Sequence, residues 1–154
     1  MGAAKANTVD YLINNHANIN VKDGSGLTLL HQAAQLNNTD VVLLLVKKGL
    51  TIDAVADDGN TPLMMAASRG HADTVGVLIS QGAEVDSKNN VGNTALMLSV
   101  LANNEKSVKL LLKAGADIDI RNDKREQAIN LAENKMIIEL IRKHKSENKM
   151  FGVF

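Results

Sequence analysis

The chain has 154 residues, enough for one domain with a real core, and its 17 Lys plus Arg balance 17 Asp plus Glu. That balance leaves no long-range field to steer it onto nucleic acid, and no nucleic-acid partner is expected. There are no cysteines, which removes disulfides, Cys-ligated zinc and thiol nucleophiles together, and aromatics at 2% leave the core to Leu, Val, Ile, Ala and Met.

One phrase recurs along the chain. Thr28-Leu29-Leu30-His31-Gln32-Ala33-Ala34 returns as Thr61-Pro62-Leu63-Met64-Met65-Ala66-Ala67 and again as Thr94-Ala95-Leu96-Met97-Leu98-Ser99-Val100, each 33 residues after the last. Gly49, Gly82 and Gly115 keep the same interval. So regular a period predicts a stacked array of one supersecondary unit, an architecture that offers an extended surface.

In chain order, residues 1–22 read as a partial unit, because Val9, Leu12 and Ile13 match Val42, Leu45 and Val46 of the next one. Full units span 23–55, 56–88 and 89–121. In each, a threonine precedes an apolar run as a helix N-cap, and Pro62 takes the first helical position, where a missing N–H costs nothing. Leu30, Leu63, Leu96 and Ile129 share one core position. A second, amphipathic helix follows, with Asp40, Val42 and Leu45 matched by Asp73, Val75 and Leu78 and by Lys106, Val108 and Leu111. The three periodic glycines end these helices in left-handed conformation. A short extended stretch is expected after each (Ile52-Asp53, Val85-Asp86, Ile118-Asp119), then a turn at Gly26, Gly59 or Gly92. Residues 122–145 form a shortened capping unit: Ala128-Ile129-Asn130-Leu131-Ala132 matches a first helix, but Met136–Ile141 arrives about four residues early. Residues 146–154 read as a tail, with the Lys143–Lys149 run as a frayed helix end. Both phenylalanines lie in Met150-Phe151-Gly152-Val153-Phe154, expected to cap the final helix pair, or else to anchor a partner or a second copy.

These residues resemble the ankyrin repeat family, whose pattern is roughly G-x-T-P-L-H-x-A-A-x-x-G-H, a Val/Leu helix, then G-A-D-V-N. Gly59-Asn60-Thr61-Pro62-Leu63 through Gly70-His71 and Gly115-Ala116-Asp117-Ile118-Asp119 carry the likeness. It departs at Met64 and Met97, where His31 keeps the family histidine, and at Asn37-Asn38 and Asn103-Asn104, which replace Gly70-His71. The resemblance implies an all-α solenoid of helix–turn–helix units with projecting β-hairpin loops. It also implies that His31 hydrogen-bonds within its own turn, with His71 doing the same at the helix–helix turn.

Chemistry is sparse. His16, His31, His71 and His144 fall in different units without convergent ligands, so no metal site is expected. Asp57-Asp58 reads as a solvated hairpin tip, Gly24-Ser25-Gly26 lacks the Lys-Ser/Thr of a phosphate loop, and Met64, Met65 and Met97 read as core filler. No catalytic residue, cofactor or enzymatic activity is expected. In the resembling family, partners are met by hairpin tips and by the exposed face of the first helices. Carried over, this gives Leu27, Gln35 and Leu36 in the first full unit; Val55, Asp58, Asn60, Ser68 and Arg69 in the second; and Val91, Asn93 and Leu101 in the third. Leu27, Leu36, Val55, Val91 and Leu101 are apolar where a solvated side chain would suffice, and a contiguous apolar patch would mark an interface. The expected function is to bind another protein as an adaptor or regulator, with the alternative of a structural segment that positions other domains or self-associates. A monomer is expected. The longest apolar run, Val41–Val46, is too short to insert across a bilayer, and no signal peptide opens the chain. Location is expected to be cytoplasmic, or periplasmic or secreted if a native leader was removed.

Overall fold

The computed structural model describes residues 18–150, and within them the chain is helical with no strand. The N-terminal matches at Val9, Leu12, Ile13 and His16, and the tail residues 151–154, lie outside the described residues. Three first helices, α1 (Leu29–Gln35), α3 (Pro62–Ser68) and α5 (Ala95–Leu101), alternate with second helices α2 (Thr39–Lys47), α4 (Ala72–Ser80) and α6 (Glu105–Lys113). A 3₁₀ turn (Ala128–Leu131) and the long α7 (Lys135–Met150) follow. Each first helix packs on its own second helix. The two kinds also stack in rows, α1 on α3 on α5 on the 3₁₀ turn, and α2 on α4 on α6 on α7.

The first helices start where the threonines predict. Thr28, Thr61 and Thr94 sit in extended conformation and accept from His31 N, Met64 N and Met97 N at 3.4, 3.3 and 3.4 Å. Leu30, Leu63 and Leu96 are buried between the rows, along with Val42, Val75, Val108 and Leu45, Leu78, Leu111 of the second helices. The fourth member of the first set, Ile129, stays half-buried, because no further unit stacks on it among the described residues. Asn37 and Asn103 adopt the positive φ (55° and 53°) that Gly70 takes at the same place, a conformation asparagine tolerates better than most residues. Asn38 and Asn104 then cap α2 and α6 by accepting from Val41 N and Ser107 N.

Four expectations are revised. The stretches at Ile52-Asp53, Val85-Asp86 and Ile118-Asp119 are turns and bends, not extended. Asp53 and Asp86 each turn a carboxylate to the next unit, accepting from Glu84 N and Asp117 N at 2.9 Å, bonds that tie each stretch to a neighbour 31 residues away. His71 does not bond within its own turn: its Nε2 reaches back to Gln35 O of the preceding unit at 3.0 Å. The fourth first helix is a single 3₁₀ turn. Gln127 stands where the other units have threonine, and its amide donates to Asp119 O and Oδ1 at 3.3 and 3.1 Å. Ala132 is already extended, and Asn134 caps α7 two residues later by accepting from Met136 N, so no length remains for a full helix. Finally, the run Lys143–Lys149 is helical to Met150. Ile137 and Ile141 anchor α7 in the core, and Lys145 meets Asp119 at 3.2 Å.

Candidate functional site

The projecting loops are hairpins without strands. Each closes through two backbone bonds: Asp23 N to Leu27 O with Gly26 N to Asp23 O, Ala56 N to Asn60 O with Gly59 N to Ala56 O, and the same pairs at Asn89–Asn93 and Asn122–Glu126. Successive hairpins are then cross-linked, Asp57 N to Ser25 O, Asn90 N to Asp58 O and Asp123 N to Val91 O, at 3.1 to 3.2 Å. Backbone groups that a strand would pair laterally are thus satisfied from hairpin to hairpin.

Side chains reinforce the stack. Asn89 Nδ2 donates to Asn60 Oδ1 and Asn122 Nδ2 to Asn93 Oδ1, both at 3.0 Å. Lys22 Nζ donates to Val55 O and Lys88 Nζ to Arg121 O at 3.2 and 2.9 Å. At the base of the first hairpin, His31 Nδ1 accepts from Thr28 N at 3.1 Å, which leaves the proton on Nε2 to donate to Asn60 O at 3.0 Å. His31 therefore bonds within its own turn, as the resemblance implied, and to the next hairpin as well. Burial holds its imidazole below the ordinary 6.5, outweighing the opposing bond to Asn60 O, and nearby Lys22 pushes the same way. Asp23 is held below the usual carboxylate range by the Ser25 and Leu27 N–H groups. On the opposite loops, burial pushes Asp86 up, with Asp117 and Glu84 adding negative charge.

The surface formed by these hairpins and the first helices is firm beneath and partly apolar on top. Leu36 is 71% exposed, Val55 51%, Val91 57% and Leu101 55%. Between the last hairpin and the first-helix row runs a groove of about 330 Å³ lined by Val91, Asn93, Leu101, Asn122–Lys124, Glu126 and Leu131. It meets a second, of about 440 Å³, at Leu101 and Leu131. Among the described residues no cluster of His, Cys, Asp or Glu is arranged to hold a metal ion, and no helix is long and apolar enough to cross a membrane.

A family model for ankyrin repeats (3 copies) matches residues 1–89 and 51–122. The chain belongs to the ankyrin repeat family. No curated protein matches the chain. Ankyrin repeats are in general protein–protein interaction modules.

The carried-over ankyrin positions divide by environment. Leu36, Val55, Asp58, Ser68, Arg69, Val91 and Leu101 are exposed, whereas Leu27, Gln35, Asn60 and Asn93 are half-buried. Asn60 and Asn93 hold the neighbouring hairpins, and the Gln35 carbonyl holds His71. Val91, Asn93 and Leu101 meet in one groove; Leu36 and Val55 lie nearer the N-terminal end. Leu131, Glu126, Glu133 and Asn134 line the two grooves and were not singled out in the sequence. The early arrival of the last helix was the available signal, since a shortened fourth unit leaves α5 with less cover.

Proposed function

We propose that the chain recognises a partner protein on its hairpin and first-helix surface, as an adaptor or regulator. The observation that carries this reading is the solvent exposure of Leu36, Val55, Val91 and Leu101 on one cross-bonded array of hairpins and helix ends. Apolar groups held on a stiff frame lose little conformational freedom on binding, so more of the contact energy is left as affinity. Leu36→Glu combined with Leu101→Glu tests it. Both sites are exposed, and such changes shift stability by under about 0.5 kcal/mol. The tagged wild-type chain is expected to retain a partner from native lysate, identified by mass spectrometry, and the double variant to lose it at an unchanged melting temperature. Unaltered capture by a folded double variant would place recognition elsewhere; an unfolded variant would show these leucines to be core.

A further inference from the structure

The hairpin-to-hairpin joints are built from two different chemistries. Between the second and third hairpins Asn89 Nδ2 donates to Asn60 Oδ1, and between the third and fourth Asn122 Nδ2 donates to Asn93 Oδ1. One unit earlier the same two positions hold Ala56 and Leu27, so this bridge cannot form between the first and second hairpins. His31 stands in for it there, its Nε2 donating to Asn60 O at 3.0 Å. The exchange is reciprocal: Met64 and Met97 occupy the His31 position in the units whose joints carry the asparagine bridge. An amide keeps its charge state across physiological pH, whereas an imidazole changes it.

The His31 bridge fits one protonation state only. The ring is fully buried, and its Nδ1 faces two groups of Thr28, the N–H at 3.1 Å and the hydroxyl at 2.9 Å. Thr28 N can only donate, so Nδ1 accepts and the single ring proton sits on Nε2. A second proton, on Nδ1, would face the Thr28 N–H and place a cation in a site closed to water. Lys22 and Asp23 of the first hairpin and Asp58 of the second are the charges that act on the ring. Burial and Lys22 oppose the second proton and the two carboxylates favour it, with burial the largest influence. Helix α3, stacked on α1, carries no charged side chain, and Asp40 and Lys47 of α2 are exposed to solvent.

The other end of the same joint behaves differently. There His71 Nε2 donates to Gln35 O at 3.0 Å and Thr74 donates to Asn37 Oδ1 at 2.8 Å. A charged imidazole still donates from Nε2, so acid leaves this end tied.

We propose that the joint between the first and second full units is an acid-opened hinge: protonation of His31 releases Asn60 O and lets the first hairpin swing from the second, while the bonds to Gln35 and Asn37 hold the pivot. This rests on the reading of the hairpin and first-helix face as a recognition surface, and names its regulation. Acid divides that face between Ser25 and Asp57 and lowers affinity for the partner. Opening begins as pH falls below 6.5, since the folded chain binds fewer protons here than the unfolded one.

The test is amide exchange of the full chain at about pH 7.5 and about pH 5, corrected for intrinsic rates. It is read at three equivalent cross-hairpin bonds: Asp57 N to Ser25 O, Asn90 N to Asp58 O and Asp123 N to Val91 O. In acid, Asp57 N should lose roughly tenfold of its protection, and Asn90 N and Asp123 N less than about twofold. His31→Met, which installs the residue of the next two units, should abolish the difference. Leu27→Asn with Ala56→Asn, which rebuilds the asparagine bridge, should keep Asp57 N protected in acid with His31 in place. Equal loss at all three amides, no loss at Asp57 N, or a loss that survives His31→Met overturns the hinge. Should His31→Met fail to fold, the rebuilt bridge carries the comparison, and opening at Asp57 N in spite of it overturns the proposal. Affinity for the captured partner should fall several-fold in acid for the wild-type chain beyond any fall for His31→Met, and equal falls overturn the regulatory role. The exchange measurement needs no partner, so failure of the Leu36/Leu101 capture experiment would strike the recognition surface and leave the hinge standing.

Discussion

His31 shows how one residue ties local structure to the array. Its Nδ1 accepts from Thr28 N, so a second proton would set one N–H against another. The imidazole is accordingly held below 6.5 by burial. The folded chain then binds fewer protons at this site than the unfolded one, and stability rises with pH across the window from the lowered value up to 6.5. Stability should be full above 6.5 and fall as pH drops below it, measured as melting temperature, with His31→Gln removing that segment of the pH profile. Ser99 and Ser107 pose the opposite case: both hydroxyls are buried with no partner among the described residues. Ser99 stands where the other units have Ala33 and Ala66. Ser107 stands where Thr74 donates to Asn37 Oδ1 at 2.8 Å, but its own unit faces Gly70, which has no side chain to accept. Ser99→Ala should stabilise the chain by about 1 kcal/mol, since removing an unsatisfied buried hydroxyl also removes its desolvation cost. A lowered melting temperature would show that this hydroxyl is satisfied.

At the scale of elements, much was legible because the phrase repeats. Threonine caps, Pro62, periodic glycines and the core leucines all follow from local chemistry that one unit states and the next restates. What was not legible depends on contacts between units. His71 bonding Gln35 O and Thr74 bonding Asn37 join residues more than thirty apart, and spacing within a unit carries no trace of them. The same holds for the fourth unit, where the apolar match at 128–132 concealed a 3₁₀ turn set by the early cap at Asn134. Glycine substitutions separate the local from the stacked requirement. Gly82 has φ +88° with nothing within 4 Å of an added Cβ, so Gly82→Ala should cost only the left-handed strain, about 1–2 kcal/mol. Gly59 has φ +81°, and a Cβ there would lie 2.6 Å from Asn90 N of the next hairpin. Gly59→Ala should therefore cost clearly more in denaturant melts, and equal costs would deny that the hairpins stack this closely. Leu63→Ala, buried between rows, should cost about 2–5 kcal/mol, and an unchanged melt would contradict the core assignment.

For the whole molecule, the rows of helices bury the core, and the hairpins project from it bonded to one another. Of the carried-over surface positions, those resting on side-chain type were legible as candidates; which of them face one groove was not, because that depends on how far the last unit extends. Leu131 and Glu133 entered the site only through the truncation of a helix. The apolar positions at Leu36, Val55, Val91 and Leu101 contribute nothing to the buried core, and their placement on the cross-bonded face is the basis for reading that face as the one that binds. Amide hydrogen exchange of the chain, free and in complex with the partner it captures, tests this most directly. The account predicts slowed exchange along the hairpins at 55–60, 88–93 and 122–126 and at the ends of α3 and α5, with α4 and α6 unchanged. Protection confined to α4 and α6 would contradict it.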